Sequence, residues 1–153
     1  MIVKKIIDED LSNYKKPSMV IFMPRCTMKC GEELCQNNPW LKMPDKIIDP
    51  LDILNQYLDN NLTKAVVLTG LDPIDTFDDL YDFIWKFRVV TDDDIVIYTG
   101  YDKDEISDKV EKLKKFSNII VKFGRYVPGQ QPHYDELLGV NLASDNQYAE
   151  KIC

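Results

Sequence analysis

Short runs of consecutive apolar residues recur along the chain and alternate with longer segments of helical periodicity. Continuous apolar runs of this length are typical of strands that are buried on both faces, as in a parallel sheet. The runs are "SMVIFMP" (18–24), "KAVVLTG" (64–70), "DIVIYTG" (94–100) and "NIIVKFG" (118–124). The spacing of the apolar residues between them predicts helices over 49–61, 75–90 and 102–116.

The first predicted helix has a defined start and a defined apolar face. Asp49 is placed to cap the helix and Pro50 to occupy its first position. The apolar face predicted from the spacing consists of Leu51, Ile53, Leu54 and Leu58. Beyond residue 125 no period is clear before "DELLGVNLA", and the Pro and Gly content of 127–134 predicts a loop.

Alternating strands and helices predict a single α/β domain over 1–153, built on a parallel sheet with right-handed crossovers. In such a sheet the carboxyl ends of the strands open on one edge, and the loops there lie close together. Four unusual segments follow the predicted strands: the cysteine-rich segment after 18–24, "TGLDP" (69–73), "TGYD" (99–102) and "KFGRY" (122–126). We therefore predict that the functional site lies at this edge.

Composition and charge narrow the possible partners and compartments. With 44% apolar and 29% charged residues, the chain has a globular composition. Its net charge of −7 argues against a nucleic-acid partner, which requires a basic face. No apolar stretch approaches the ~20 residues that span a bilayer, and the opening lacks the features of a signal peptide. We expect no membrane partner and a cytoplasmic, reducing location, which disfavours disulfides.

Three of the four cysteines, Cys26, Cys30 and Cys35, lie close together directly after the first predicted strand. Soft thiolates select zinc, copper(I) or iron–sulfur clusters. A triplet with no fourth cysteine or histidine nearby favours a metal centre that keeps one coordination position open. A closed zinc site completed by Cys153, or thiols that bind no metal, are the alternatives. Because Cys153 is the terminal residue, we expect it to be a free thiol.

The arrangement of these motifs resembles the radical S-adenosylmethionine (radical SAM) superfamily. Cys26-x3-Cys30-x4-Cys35 resembles its cluster loop, and "VVLTGLDPID" (66–75) resembles its glycine-rich second-strand motif. More narrowly, "IVIYTGYDKDEI" (95–106) and "LGVNLASDNQYAEKI" (138–152) resemble the activating enzyme of the anaerobic, class III ribonucleotide reductase. The motifs occur in the family's order, and the resemblance extends over nearly the whole chain.

The resemblance implies a fold, an activity and partners. The fold is an open partial (β/α) barrel of the radical SAM type with a mostly parallel sheet, since a closed barrel takes ~250 residues. A [4Fe–4S] cluster on Cys26, Cys30 and Cys35 binds S-adenosylmethionine, and one electron cleaves it into methionine and a 5′-deoxyadenosyl radical. That radical removes a hydrogen atom from a glycine of the large subunit of the anaerobic ribonucleotide reductase. The electron comes from a donor such as flavodoxin or ferredoxin.

The resemblance also implies which residues contact the cofactor. The leucine before the third cysteine packs against adenine, the glycine-rich motif meets the methionine amino group and contains an aspartate that anchors its loop, and the later strand ends meet the ribose or the carboxylate. These residues are Leu34, Thr69, Gly70, Leu71, Asp72, Thr99, Gly100 and Lys122. Taken singly, these segments are also compatible with ordinary turns, and the lysine with a solvated side chain.

Two departures from the family pattern and two alternative functions accompany this interpretation. Four residues separate Cys30 from Cys35 where the family has two, so the loop must bulge, and Leu71 replaces the family's second glycine. The alternatives are another small radical SAM enzyme, with a different glycyl-radical enzyme or a small molecule as substrate, and a non-catalytic iron–sulfur or zinc protein. Only "GRYVPGQQPHY" (124–134) is long enough to cover the site, so we expect a macromolecular partner to cover it.

Overall fold

The computed structural model describes the whole chain, residues 1–153. Its strands are β1 (Ile2–Val3), β2 (Lys5–Asp10), β3 (Ser18–Met23), β4 (Lys46–Ile47), β5 (Ala65–Gly70), β6 (Asp94–Tyr98), β7 (Ile119–Phe123), β8 (His133–Asp135), β9 (Val140–Leu142) and β10 (Tyr148–Lys151). Its α-helices are α1 (Asn38–Leu41), α2 (Pro50–Asp59), α3 (Phe77–Val90) and α4 (Ser107–Leu113). Three short 3-10 turns cover Glu32–Leu34, Pro73–Thr76 and Lys103–Ile106.

The centre of the fold is a six-stranded sheet in the order β10-β7-β6-β5-β3-β2. Its four inner strands are parallel to one another and coincide with the four apolar runs of the sequence, so those strand predictions are confirmed. The two outer strands, β2 and β10, run antiparallel to their neighbours. The sheet is therefore mixed, and the partial-barrel class stays a prediction from the resemblance.

Helix α2 starts as predicted, and its buried face is the predicted one in part. The Asp49 carboxylate accepts a hydrogen bond from the Leu51 amide at 2.9 Å, which confirms the cap. The predicted apolar face is confirmed at Ile53 and Leu54 and wrong at Leu51 and Leu58, which are exposed. The buried residues are Ile53, Leu54 and Tyr57. The Tyr57 hydroxyl donates to the Asp93 carboxylate at 2.7 Å, and this bond allows the ring to be buried without an unsatisfied polar group.

Helices α3 and α4 each begin after a 3-10 turn that occupies the start of the predicted segment. Most of the apolar residues whose spacing predicts these helices are buried. The fully buried residues of these segments are Leu80, Phe83, Ile84, Phe87, Ile106, Val110 and Leu113. They belong to a cluster of 23 buried residues that forms the core on the helix-covered face of the sheet.

The opposite face of the sheet is covered by irregular chain and by the β8–β9 hairpin, which the sequence did not predict. A second cluster of nine buried residues lies there and includes Tyr14, Leu138 and Leu142. The hairpin is joined to the segment before β3 by the Lys15 amide, which donates to the Leu138 carbonyl at 2.7 Å. This cover leaves the carboxyl ends of the inner strands as the open part of that face.

Strand β10 carries Cys153 to the edge of the sheet that is opposite the cysteine triplet. The Ile119 amide, at the start of β7, donates to the Cys153 carbonyl at 3.3 Å, whereas the triplet follows the end of β3. Cys153 is a free thiol, as predicted, but it is half-buried and packs against the helix-side core and so is not frayed. No helix in the structure has the length and apolar character that crossing a membrane requires.

Candidate functional site

A cleft of about 280 Å³ lies where the inner strands β3, β5, β6 and β7 end. Its walls include all three clustered cysteines, Cys26, Cys30 and Cys35. The other predicted site residues that line it are Thr69, Gly70, Leu71, Asp72, Thr99, Gly100 and Lys122. The structure therefore brings together, at the predicted edge of the sheet, every predicted site residue except Leu34.

The predicted bulge between Cys30 and Cys35 is a short 3-10 turn. The Leu34 amide donates to the Gly31 carbonyl at 3.2 Å, and the Cys35 amide to the Glu32 carbonyl at 3.3 Å. Gly31 begins the turn at a φ of +88°, which glycine adopts without strain. The turn takes up the extra residues and leaves both flanking cysteines at the cleft.

Leu34 differs from the expectation that it packs inside the site. Its side chain is 53% exposed and does not line the cleft. Leu71, by contrast, is buried and lines the cleft. A contact between Leu34 and adenine therefore stays a prediction.

The three clustered cysteines are half-buried and line the same cleft. Burial raises the pKa of the Cys26 thiol to about 11, although the Met28 amide donates to its Sγ at 3.3 Å. Burial and the neighbouring Cys35 thiol also raise the pKa of Cys30. Both thiols are therefore protonated at neutral pH in the metal-free protein, and metal binding would release their protons.

The arrangement of the donors distinguishes between kinds of metal centre. No three His, Cys, Asp or Glu side chains converge closely enough to hold a single metal ion. An iron–sulfur cluster takes each cysteine at a different iron, so three thiols that line one cleft need not converge on a single point to hold it. The donor set and its geometry therefore fit a cluster better than a zinc ion.

Asp72 links the loop after β5 to the loops after β3 and β6. Its carboxylate accepts hydrogen bonds from the Thr99 hydroxyl at 3.0 Å and from the Gly100 amide at 2.8 Å. It also accepts from the Ile74 amide at 3.0 Å, and its own amide donates to the Arg25 carbonyl at 2.7 Å. The predicted anchoring role of Asp72 is confirmed. Direct contacts of Thr99 and Gly100 with a cofactor stay predictions, since both donors already bind Asp72.

Polar side chains at the carboxyl ends of β5, β6 and β7 line the cleft. Tyr98 and Lys122 are register partners on adjacent strands, and Thr69 lies beyond the neighbouring β5–β6 pair Leu68 and Ile97. Sequence analysis missed Tyr98, although the "IVIYTG" run places it one residue before the predicted Thr99. Its hydroxyl donates to the Asn13 carbonyl at 2.6 Å.

Lys122 is buried, so the alternative of a solvated lysine is wrong. Its ammonium donates to the Gly124 carbonyl at 2.8 Å. Burial lowers its pKa to about 8, and the negative charge of Asp72 opposes that shift. A partly desolvated cation in the wall of a cleft is suited to an anionic group of a ligand.

Gly70 is required for close packing between β5 and β3. It has a φ of +96°, and a Cβ there would lie 3.0 Å from the Phe22 Cα and 3.1 Å from the Met23 amide nitrogen. The predicted close approach at Gly70 is therefore made by the neighbouring strand. A contact between the Gly70 backbone and a cofactor is compatible with this packing and stays a prediction.

A family model described as "4Fe-4S single cluster domain" matches residues 17–147, which include the three cysteines and all of the cleft-lining strand ends. No curated protein and no solved structure matched the chain.

Proposed function

The chain belongs to the 4Fe-4S single cluster domain family, and on that premise we propose that it is a radical SAM activating enzyme. In this proposal Cys26, Cys30 and Cys35 hold the cluster, and the adjoining cleft binds S-adenosylmethionine. The substrate is a glycine of the large subunit of the anaerobic ribonucleotide reductase. The resemblance of 95–106 and 138–152 to that class of activating enzyme supports the choice of partner.

The observation that carries the proposal is the cleft beside the three cysteines. A protein that only carries electrons needs four protein ligands and no adjoining binding site. Here three thiols share one cleft of about 280 Å³ with polar groups from three strand ends. An iron without a protein ligand, next to such a cleft, is suited to direct binding of a small polar molecule.

The residues of the cleft have distinct parts in this proposal. The cysteines fix the cluster, and Asp72 keeps the loops after β5 and β6 together as the wall against which the cofactor lies. The Lys122 ammonium offers positive charge to the methionine carboxylate. The hydroxyl of Thr69 and that of Tyr98 line the same cleft and add polar contacts.

Held by Cys26, Cys30 and Cys35, a cluster reduced by an external donor would supply the electron for cleavage of S-adenosylmethionine, and the 5′-deoxyadenosyl radical so released would take a hydrogen atom from the partner's glycine. Such a radical needs protection from water. The side chains of Leu34 and Val127, on two segments next to the cleft, are exposed and apolar. They are suited to contact a protein that closes the cleft, which supports a macromolecular substrate.

The test is anaerobic reconstitution with iron and sulfide, followed by addition of S-adenosylmethionine and dithionite. We expect slow release of 5′-deoxyadenosine from the protein alone. With the anaerobic reductase present, we expect a glycyl radical visible by electron paramagnetic resonance (EPR). The Cys30→Ala variant should give neither product, and Cys153→Ala is the matched control that should give both.

Two outcomes would contradict different parts of the proposal. Release of 5′-deoxyadenosine with no glycyl radical on the reductase would contradict the proposed partner. It would still support the radical chemistry. A fully loaded cluster with no 5′-deoxyadenosine under any reducing condition would make the enzyme assignment wrong and leave a cluster-binding protein.

A further inference from the structure

The first half of the cysteine loop is fastened to the two neighbouring strand ends by Asp75 and Tyr101. One oxygen of the Asp75 carboxylate accepts from the Thr27 amide at 2.7 Å, and the other accepts from the Tyr101 hydroxyl at 2.7 Å. The same hydroxyl lies 3.0 Å from the Thr27 Oγ1. Thr27 directly follows Cys26, so this three-residue ring fixes the backbone immediately next to a predicted ligand.

Tyr101 is itself fixed by residues outside the loop. Its amide donates to the Thr99 Oγ1 at 3.1 Å, and its carbonyl accepts from the Gly124 amide at 3.1 Å. The guanidinium of Arg125 lies 5.2 Å from the centre of its ring. Arg125 is held in turn by two hydrogen bonds to Glu105, at 2.8 and 3.0 Å. The position of the Tyr101 hydroxyl is therefore set by the ends of β6 and β7.

The second half of the loop has no such attachment. The backbone hydrogen bonds of residues 31–35 join them only to one another, to Met28 and to Asn38, and the Asn38 side chain donates to the Glu32 carbonyl at 2.9 Å. The loop is thus rigidly positioned at Cys26 and locally folded at Cys35.

The backbone between the fixed and the free half is in an unusual conformation. Met28 has a φ of +54°, a left-handed conformation that non-glycine residues keep only where their surroundings impose it. In that conformation the Met28 amide points at the Cys26 sulfur, at 3.3 Å. Hydrogen bonds to ligand sulfur are among the factors that set the reduction potential of an iron–sulfur cluster, because they favour the added electron.

We propose that Asp75 and Tyr101 are positioning residues that hold the Thr27–Met28 peptide so that its N–H stays directed at the Cys26 sulfur. They thereby raise the reduction potential of the cluster. The inference requires Cys26 to be a ligand, but it does not depend on S-adenosylmethionine or on any partner protein.

The test compares Tyr101→Phe and Asp75→Asn with the unmodified protein. After reconstitution, the midpoint potential is measured by anaerobic redox titration followed by EPR, and iron is counted in the same samples. We expect both variants to shift the potential to a more negative value, with altered g-values. In the metal-free protein we expect faster hydrogen exchange at the Met28 amide. Tyr81→Phe and Asp78→Asn, both on α3 away from the loop, are matched controls that should change none of these.

An unchanged potential and unchanged Met28 exchange in Tyr101→Phe, at full iron content, would overturn the proposal. Loss of the cluster from a variant whose circular dichroism stays that of the unmodified protein would support it, since the loop is then no longer positioned. If either variant fails to fold, Thr27→Val, which removes only one hydroxyl, is measured in its place. An unchanged potential and unchanged Met28 exchange in that variant would likewise overturn the proposal. A Cys26→Ala variant with full iron content and unchanged potential would remove Cys26 as a ligand, and the proposal with it. Failure to cleave S-adenosylmethionine would contradict only the proposed function.

Discussion

The carboxylate of Asp72 accepts a hydrogen bond from the hydroxyl of Thr99 at 3.0 Å, across the boundary between two parallel strands. Both residues are buried, and burial raises the pKa of Asp72 to about 6. Most Asp72 carboxylates are therefore ionised at neutral pH. Three hydrogen-bond donors, from Ile74, Thr99 and Gly100, stabilise the buried negative charge. This pair joins the loop that follows β5 to the one that follows β6 and so defines one wall of the cleft.

We predict that Asp72→Ala lowers the free energy of unfolding of the metal-free protein. The substitution leaves buried donors of Ile74, Thr99 and Gly100 without their acceptor, which costs about 2 kcal/mol. Urea denaturation followed by circular dichroism measures the change. Asp78→Ala, an exposed aspartate on α3, should change the stability by less than about 0.5 kcal/mol. Equal effects of the two substitutions would mean that the Asp72 hydrogen bonds do not stabilise the fold.

We predict that the three clustered cysteines are each required for the cluster and that Cys153 is not. Cys153 lies at the opposite edge of the sheet, where it packs against the helix-side core. Iron content and visible absorbance of the four single Cys→Ala variants measure the outcome. Full iron content in Cys26→Ala, Cys30→Ala or Cys35→Ala would exclude that cysteine as a ligand, and loss of iron in Cys153→Ala would exclude the three-ligand assignment.

We predict a pH dependence of stability that comes from Lys122. Its pKa is lowered to about 8 in the folded protein, so the unfolded chain binds this proton more tightly. The destabilisation is full below pH 8 and disappears as the pH rises toward the ordinary lysine pKa. The free energy of unfolding, taken relative to a Lys122→Met variant, should therefore rise by on the order of 1 kcal/mol between pH 7 and 9.5.

Measuring that difference against the variant removes the contribution of the tyrosines. Burial raises the pKa values of Tyr14 and Tyr57, which lie against Asp94 and Asp93 at the opposite end of the strands from Lys122, so their contribution is common to both proteins. Lys115→Met, which removes an exposed lysine, is the control for the loss of one positive charge. A flat difference between the unmodified protein and Lys122→Met would mean that Lys122 is not desolvated in solution.

We predict that Gly70→Ala destabilises the protein more than Gly129→Ala does. Both glycines have a positive φ, of +96° and +83°, so alanine is strained at either position by about 1–2 kcal/mol. At Gly129 no atom lies within 4 Å of the added Cβ, whereas at Gly70 the Cβ meets the β3 backbone at 3.0 Å. Thermal unfolding of the two variants separates the clash from the strain. Equal decreases in melting temperature would mean that β3 moves away from the added Cβ at little cost in free energy.

The parts of the fold that could be predicted from sequence are those with an unambiguous hydrophobic pattern. The four inner strands are continuous apolar runs, and the convergence of their loops follows from parallel pairing alone. The inward face of α2 could not be predicted in the same way. Ile53 and Leu54 are compatible with a helical stripe that contains Leu51 and Leu58 and with one that contains Tyr57, and the hydrogen bond from Tyr57 to a distant aspartate is not visible in the spacing.

Other features escaped prediction because they depend on contacts between segments far apart in the chain. Strands β8, β9 and β10 are three or four residues long and partly exposed, so they lack a clear alternation. The cysteines and the strand-end glycines could be recognised by residue type. Asp75, Thr27 and Tyr101 are ordinary residues in the sequence, and only the fold brings them together.

The division of the cysteine loop into a fastened half and a free half has a consequence for how such proteins are recognised. Residues can be added between Cys30 and Cys35 within the local turn, while Cys26 and its surroundings keep their place on the sheet. A search pattern that fixes the interval between the second and third cysteine would therefore pass over this chain. A pattern that instead asks for an acidic residue after one strand and a tyrosine after the next would be indifferent to the length of that interval.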